Sequence, residues 1–590
     1  MKIKKLENFA KNIRKNIIFT AFKAGVKSAH IGGALSAADI IAVLYSDIMK
    51  IKKQKILDVN RDRFILSKGH ACLALYSALV EKKILKKKDL ETFESDGSKL
   101  LGHPIINKLS GIEFSTGSLG MGLALGVGVA LAAKKKQKKY KTYVILGDGE
   151  CNEGSIWESV LCASHFKLDN MFIIVDRNNF QQTGKNSSIM DLKNLTSKFK
   201  SFGCETIEID GHDIKKIYKS LISKNLNKPK VIVANTIKGK GVKLFENDNN
   251  WHHSVLLNQF IKISKKNYNF LMNIENNIKL WSSLGMRATF GLIALELAKK
   301  HANLMITTSD VSTSAGLDRY KNKYPDKYLD VGIAEQNLIG VSAGLSSEGF
   351  KVISTTFAPF QTLRCCEQIK VNLGYMKHKI CMVGLASGLV LGNLGFTHCS
   401  IEDIGSLRSI PNISIIAPSD PFELFKALNE AIESKNSVYI RLTAGANSKI
   451  INSKNYEFKI GKAVQILPGE DVAIIGCGNI LGNCLEAASI LKEKKIQCSV
   501  VNMHTIKPID KELINEVAKK NKLIVTVEEH NVIGGLGSAV AETLSAETNK
   551  CKLVRIGIND FYSSGGSYEY LKNIYGLSVE KIIETILLNL

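Results

Sequence analysis

The stretch YVILGDGECNEGSIWE, Tyr143 to Glu158, decides how this chain is read. Its apolar run ends on an acidic turn flanked by glycines and is followed by a helix-forming segment, so it reads as a buried strand, a tight turn and a helix start. An aspartate at such a strand end, Asp148, is placed to hold a hard cation beside a phosphate. Glycines let the backbone approach the anion and the helix N-terminus donates to it. A second strand, FIIVD at 172–176, ends in RNNFQQTG at 177–184. There the side-chain oxygen of Asn178 and the backbone carbonyl of Phe180 can supply further oxygen ligands. A lone GDG is an ordinary turn; two strands ending this way are much less common, and together they outline a magnesium diphosphate site.

Working outward, strand-like apolar runs alternate with helix-length amphipathic stretches: YVILG, MFIIVD, KVIVANT, LMITTSD, KVISTTF, KICMVGL, ISIIAPS, DVAIIGCG, QCSVVNM and KLIVTVEE. Such alternation implies an α/β chain of mostly parallel sheets flanked by helices, with ligand sites at the carboxyl ends of the strands. At 590 residues the chain exceeds what one core organises. Polar breaks at Asn267–Lys279 and at GANSKIINSKNYEFKIGKA, 445–463, divide it. Three domains are expected at 1–266, 284–450 and 469–590, joined by linkers at 267–283 and 451–468.

Composition excludes several classes. The longest apolar stretch, Gly120 to Ala133, is shorter than the roughly 20 residues of a spanning helix, so it reads as a buried helix. The N-terminus alternates polar and apolar residues and so lacks the core of a signal peptide, which points to the cytoplasm. Twelve cysteines include no C-x-x-C pair, and the adjacent Cys365 and Cys366 do not build a metal site, so reduced thiols are expected. The net charge of +25 raises nucleic acid or an acidic membrane as partners. The lysines are spread, however, and runs such as KKKQKKYK from Lys134 fall between a helix and a strand without regular aromatic interleaving. Neither partner is expected; the surplus charge favours anionic substrates.

GDGECNEG followed by VDRNNFQQTG resembles the thiamine diphosphate fingerprint of the transketolase family. Other motifs follow in family order: SAHIGGALSAADI, DRFILSKGH, LGHP, FSTGSLGMGLALGVG, IDGHD, NTIKGKG and WHH in the first block, GMRATFG, DVGIAEQN, TTFAPFQT and GFTHCSIEDI in the second, VEEHNVIGGLGSAVAE in the third. The resemblance, to a short-form transketolase, spans essentially the whole chain. It implies thiamine diphosphate and magnesium, with calcium or manganese able to substitute, a diphosphate-binding first domain, a pyrimidine-binding second and a C-terminal α/β third. By resemblance Asp148, Asn178 and the Phe180 carbonyl bind the metal. Gly117, Leu119, Gly120, Gly147 and Gly149 line the diphosphate and thiazolium region with Glu150 and Glu153. Lys68, His70, Gln182 and Lys238 lie nearby.

The same resemblance packs Phe357 and Phe360 on the aminopyrimidine and gives Glu335 the catalytic task of sharing a proton with its ring nitrogen. His30, His103 and His252, with His70, would line the substrate channel and stabilise oxyanions, and His398 would shuttle a proton. His212 and His530 are read as peripheral. The implied cofactor lies between the two subunits of a homodimer, each contributing half.

Arg287, Ser314 and Arg441 match residues that hold the substrate phosphate in the family. Two positions depart from it: Ala386 stands where the family has a histidine, and Leu394, in GNLG, where a GEDG-type turn has an aspartate bonding a substrate hydroxyl. Leucine cannot accept that bond, and an unpaired buried hydroxyl costs about 1 to 3 kcal/mol, or roughly tenfold to hundredfold in discrimination. Met121 replaces a common glutamine and points the same way. The expected function is a transferase moving a two-carbon ketol unit from a ketose to an aldose, with sugars or 2-oxo acids as substrates. Alternatives are a relative with altered substrates (pyruvate or another donor lacking the hydroxyl, or a modified or nucleotide-linked acceptor), a decarboxylative condensation like that of deoxyxylulose-phosphate synthases, and a catalytically silent scaffold.

Overall fold

The computed structural model describes residues 2–223, 227–256, 274–443, 451, 457–546 and 551–590. Its first sheet is wholly parallel, ordered β1-β2-β3-β5-β4, from β1 (Arg63–Leu66), β2 (Thr142–Gly147), β3 (Met171–Arg177), β4 (Glu205–Asp210) and β5 (Lys230–Asn235). Every residue of β2 is buried, and all of β3 but its last, as continuous Val/Ile-rich runs require when helices cover both faces. The register ends at Gly147 opposite Asp176. The GDG and RNNF turns therefore leave the sheet side by side at its carboxyl edge.

The second sheet contains β6 (Leu304–Thr308), β7 (Tyr328–Asp330), β8 (Lys351–Phe357), β9 (Ile380–Leu385), β10 (Ile413–Ile416) and β11 (Ser437–Arg441). The third contains β12 (Val464–Leu467), β13 (Val472–Gly476), β14 (Cys498–Asn502), β16 (Leu523–Asn531) and β17 (Lys552–Ile558), while β15 (Thr505–Lys507) crosses back to pair antiparallel with β10. Both sheets are otherwise parallel except for β12 against β14. The chain is thus α/β, with three mostly parallel sheets flanked by helices.

The glycine-rich run expected as a buried helix is the helix Gly122–Lys135, packed through Leu123, Gly126, Val127, Ala130 and Ala133. Among the described residues one helical segment, Ile31–Ile48, is long and apolar enough to cross a membrane, and 83% of it is buried inside the molecule. The helix Ile274–Lys300 begins within the stretch 267–283, and β12 lies within 451–468. The rest of those breaks, at 267–273 and 452–456, lies outside the described residues, as do 257–266 and 444–450.

A buried ionic knot ties the second domain to the third. Arg441, at the end of β11, places Nε 2.8 Å from an Asp403 oxygen and donates from Nη2 to the carbonyls of Ser400 (3.0 Å) and Glu529 (2.8 Å). The Tyr439 hydroxyl donates to the same aspartate at 2.7 Å. Arg441→Ala leaves Asp403 charged and unpaired in the interior, so it lowers stability by about 3 to 5 kcal/mol, readable in urea unfolding.

Candidate active site

At the carboxyl edge of the first sheet, Asp148 accepts from the Gly149 amide (3.0 Å) and the Asn179 amide (2.7 Å). Asn178 Oδ1 accepts from the Phe180 amide at 3.0 Å. Asp148 is 2% exposed. Burial, and then the charge of Asp176, push its carboxyl up to about 7. Asp176 is itself paired with Lys68 at 2.5 Å and held by Ser36 at 2.6 Å.

Glu150 organises the cradle from the cleft wall. Its carboxylate accepts from the amides of Gly120 (3.0 Å) and Gly147 (3.1 Å), fixing two loops against each other. Gly117 has φ +128, and a Cβ there would stand 2.5 Å from the His103 ring, so only glycine lets loop and imidazole meet.

The second domain closes the cleft. Asp310 accepts from the amides of Gln182 (2.8 Å) and Thr183 (2.9 Å), clamping the RNNFQQTG turn, and Gln182 Nε2 donates to Ser314 Oγ at 2.6 Å. Glu335 opens the helix Glu335–Ser347 and is 3% exposed. Arg364 Nη1 bonds both Glu335 (2.7 Å) and Glu153 (2.6 Å), and its guanidinium lies 4.5 Å from the Phe360 ring centre. Burial raises both carboxyls, but for Glu335 the Arg364 charge and the bonds from Glu153 and Arg364 outweigh it and hold it low. Glu153, burdened first by burial and then by the charge of Glu335, is raised to about 9. The pair therefore keeps one proton at neutral pH.

Six imidazoles converge beside these groups. His30 lies 5.7, 5.5, 5.5 and 4.2 Å from the ring centres of His70, His103, His252 and His253, and His103 stacks on His398 at 4.4 Å. Burial first, then the neighbouring imidazoles and, for His70, His252 and His398, the cations Lys68, Lys238 or Arg364, hold His30, His70, His252 and His398 well below the ordinary value, and burial takes His103 and His253 down to about 4. They are neutral at pH 7, so they serve as N–H donors and lone-pair acceptors rather than as cations. Lys238, lowered by burial to about 7, donates to the Gln181 carbonyl (3.1 Å) and Asn249 (2.6 Å) and lies 2.9 Å from His252 Nδ1.

The inner cleft, about 890 Å³, brings Asp148, Asn178 and Phe180 together with Lys68, Gly117, Leu119, Gly147, Gly149, Glu150, Gln182 and Lys238. Glu335, Phe357, Phe360 and the imidazoles of residues 30, 70, 103, 252 and 398 complete it. Gly120 and Glu153 stand behind the lining, tied to it through Glu150 and Arg364. An outer chamber of about 1870 Å³ adds Arg287, Ser314 and Leu394. Among the described residues Arg287 makes no hydrogen bond or ion pair, and burial lowers its pKa. Arg441 does not reach either chamber, because its guanidinium is consumed by the interdomain knot; Ala386, buried with φ +51, lines neither. Met121 is 58% exposed and lies outside both.

Within the chain, the two halves of the cleft come from the first and second domains. His212 is structural, with Nδ1 2.8 Å from Asp39 and Nε2 accepting from the Ile237 amide. His530 is buried within the knot around Asp403. Arg364, Asp310 and His253 were not foreseen. An arginine inside the apolar run FAPFQTLRCC was the available signal for the first, and the doubled histidine of WHH for the last.

Among known proteins, the family models for the transketolase thiamine diphosphate binding, pyrimidine binding and C-terminal domains match residues 8–280, 282–448 and 461–582. Rat (Rattus norvegicus) transketolase is 31% identical over 615 residues, covering 99% of this chain and 97% of that protein. A putative transketolase C-terminal section from Methanocaldococcus jannaschii is 38% identical over 305 residues, 51% of this chain and 95% of its own. A transketolase crystal structure from Campylobacter jejuni is 24% identical, with a TM-score of 0.46 over 100% of this chain and 99% of that one.

Proposed function

The chain belongs to the transketolase family, and from that premise we propose that it moves a two-carbon ketol unit from a ketose to an aldose, using thiamine diphosphate and a divalent cation, magnesium foremost. What carries the proposal is the common cleft of Asp148 and Glu335, drawn from different domains.

The residues present fit the cofactor. Asp148, Asn178 and the Phe180 carbonyl are an all-oxygen set of the kind hard cations take, and the raised Asp148 carboxyl is relieved by a cation. Gly117, Gly147 and Gly149 would hold the diphosphate end, Phe357 and Phe360 the aminopyrimidine. When bound, thiamine diphosphate supplies the electron sink for the carbanion left as the ketose bond breaks. Glu335 would hold or pass the proton at the aminopyrimidine end, with Glu153 as its reserve; Arg364 fixes both carboxyls. The neutral imidazoles of His30, His103 and His252 donate to sugar oxygens, and His398 exchanges a proton with the hydroxyl of the transferred fragment. Unpaired Arg287 is available to an anionic tail in the outer chamber.

We also assign a homodimer with active sites at the subunit interface, on family membership. Thiamine diphosphate with magnesium at about 100 times its Kd raises stability by about 2.7 kcal/mol, read by thermal melting, and the loaded enzyme transfers ketol units without releasing carbon dioxide. Absence of both effects would sink the proposal. Carbon dioxide release from pyruvate would replace it with a decarboxylative condensation.

A further inference from the structure

Among the groups lining the outer chamber, Glu94 has no part in the mechanism above. It follows the short helix Lys87–Thr92, has φ +55, and is fixed by its backbone: its amide donates to the Leu100 carbonyl at 2.9 Å, and its own carbonyl accepts from Lys27 Nζ at 2.5 Å. Its side chain is different. Glu94 is 2% exposed, it lines the chamber with Asn393 and Leu394, and among the described residues its Oε1 has no hydrogen-bond partner. Asn393 Oδ1 likewise has none.

The position is built. A Cβ on Gly102 would fall 2.5 Å from Glu94 Oε1 and 2.6 Å from a Leu394 methyl, so it is the missing side chain at 102 that lets carboxyl and leucine meet at the chamber wall. A buried carboxyl oxygen without a partner bears a desolvation cost that a ligand's donor removes.

We infer that Glu94 reads a hydroxyl of the bound sugar and is a specificity-determining residue of the outer chamber; this rests on the sugar-transfer function proposed above. Burial raises the Glu94 carboxyl to about 8, against the weaker opposing effect of Lys27, so at neutral pH it mostly keeps its proton. A neutral carboxyl both donates and accepts, which serves a hydroxyl, whereas an ammonium asks for the ionised form. The leucine methyl beside it keeps water from competing.

The test compares a ketose phosphate with its singly deoxygenated analogues, by calorimetric binding and by turnover, on the full chain loaded with thiamine diphosphate and magnesium. The wild-type protein prefers the parent sugar to one of these analogues by about tenfold to hundredfold. Glu94→Leu brings that ratio to about one, and Glu94→Gln, which still donates and accepts, keeps most of it. The side-chain carboxyl carbon signal of Glu94 in the wild-type protein shifts with the parent sugar and not with that analogue, a measurement that needs no variant to fold. A ratio unmoved by Glu94→Leu, or a signal blind to the sugar, overturns the inference. Binding that shows the ratio without any ketol transfer defeats the proposed reaction and leaves Glu94 in its role; transfer with an unmoved ratio does the reverse.

Discussion

Glu335→Gln lowers turnover about 100- to 10,000-fold, the range lost when a positioned proton carrier is removed. The amide matches the carboxylate in shape and can still accept from Arg364 Nη1, now at 2.7 Å, so the chain keeps its fold and its cleft. What disappears is the capacity to hold a proton and the negative charge that keeps Glu153 protonated. With that charge gone, the Glu153 carboxyl falls from about 9, because Arg364 then pairs with it alone. The pH profile supplies an independent check. In the wild-type protein the two carboxyls share one proton below pH about 9, so activity is present there and is lost as pH rises through that value. In Glu335→Gln the residual activity has no such alkaline limb. A variant within about threefold of the wild-type rate, with the limb intact, removes Glu335 from the chemistry.

The strands legible in the sequence are those buried on both faces. YVILG, MFIIV and LIVTV are near-continuous apolar runs because no face of them meets water, and each lies in a strand. Glu205–Asp210 escapes the same reading because it sits at the sheet edge, mostly half-buried or exposed, and its sequence, ETIEID, alternates weakly. Acidic and amide residues at strand ends were legible for a related reason, since strand order alone places the Asp148 and Asn178 turns together.

Side chains whose partners come from another domain were not legible. Asp310 is ordinary in its own segment, and Arg364, though it interrupts an apolar run, names no partner there; only folding puts them against Gln182 and Glu153. Arg441 shows the converse. A guanidinium at the end of a strand in the second block looks available to a phosphate until Asp403, from a helix of the same domain, takes it. The charge state of the histidines was hidden as well, because it depends on six rings excluding water from one another.

The last expectation concerns which chain supplies each half of the cleft. Asp148→Ala removes the carboxylate of the cation set and Glu335→Gln removes the proton carrier, so each variant alone keeps about 1% of wild-type activity or less. The contacts that bring the halves together, Asp310 to the Gln182 and Thr183 amides and Arg364 to Glu153, all run between the first and second domains. Two copies can make the same contacts reciprocally, each domain pair then drawn from different chains, without altering a distance inside the cleft. In a homodimer built that way, one site of a mixed dimer carries both substitutions and the other carries neither. Random reassortment makes roughly half of the dimers mixed, each with one intact site of two, so mixing the two impaired proteins restores about a quarter of wild-type activity. Each variant mixed with itself gains nothing. If the mixture also gains nothing after reassortment is verified by mass-tagged chains, each cleft is built within one chain and the interface assignment is wrong.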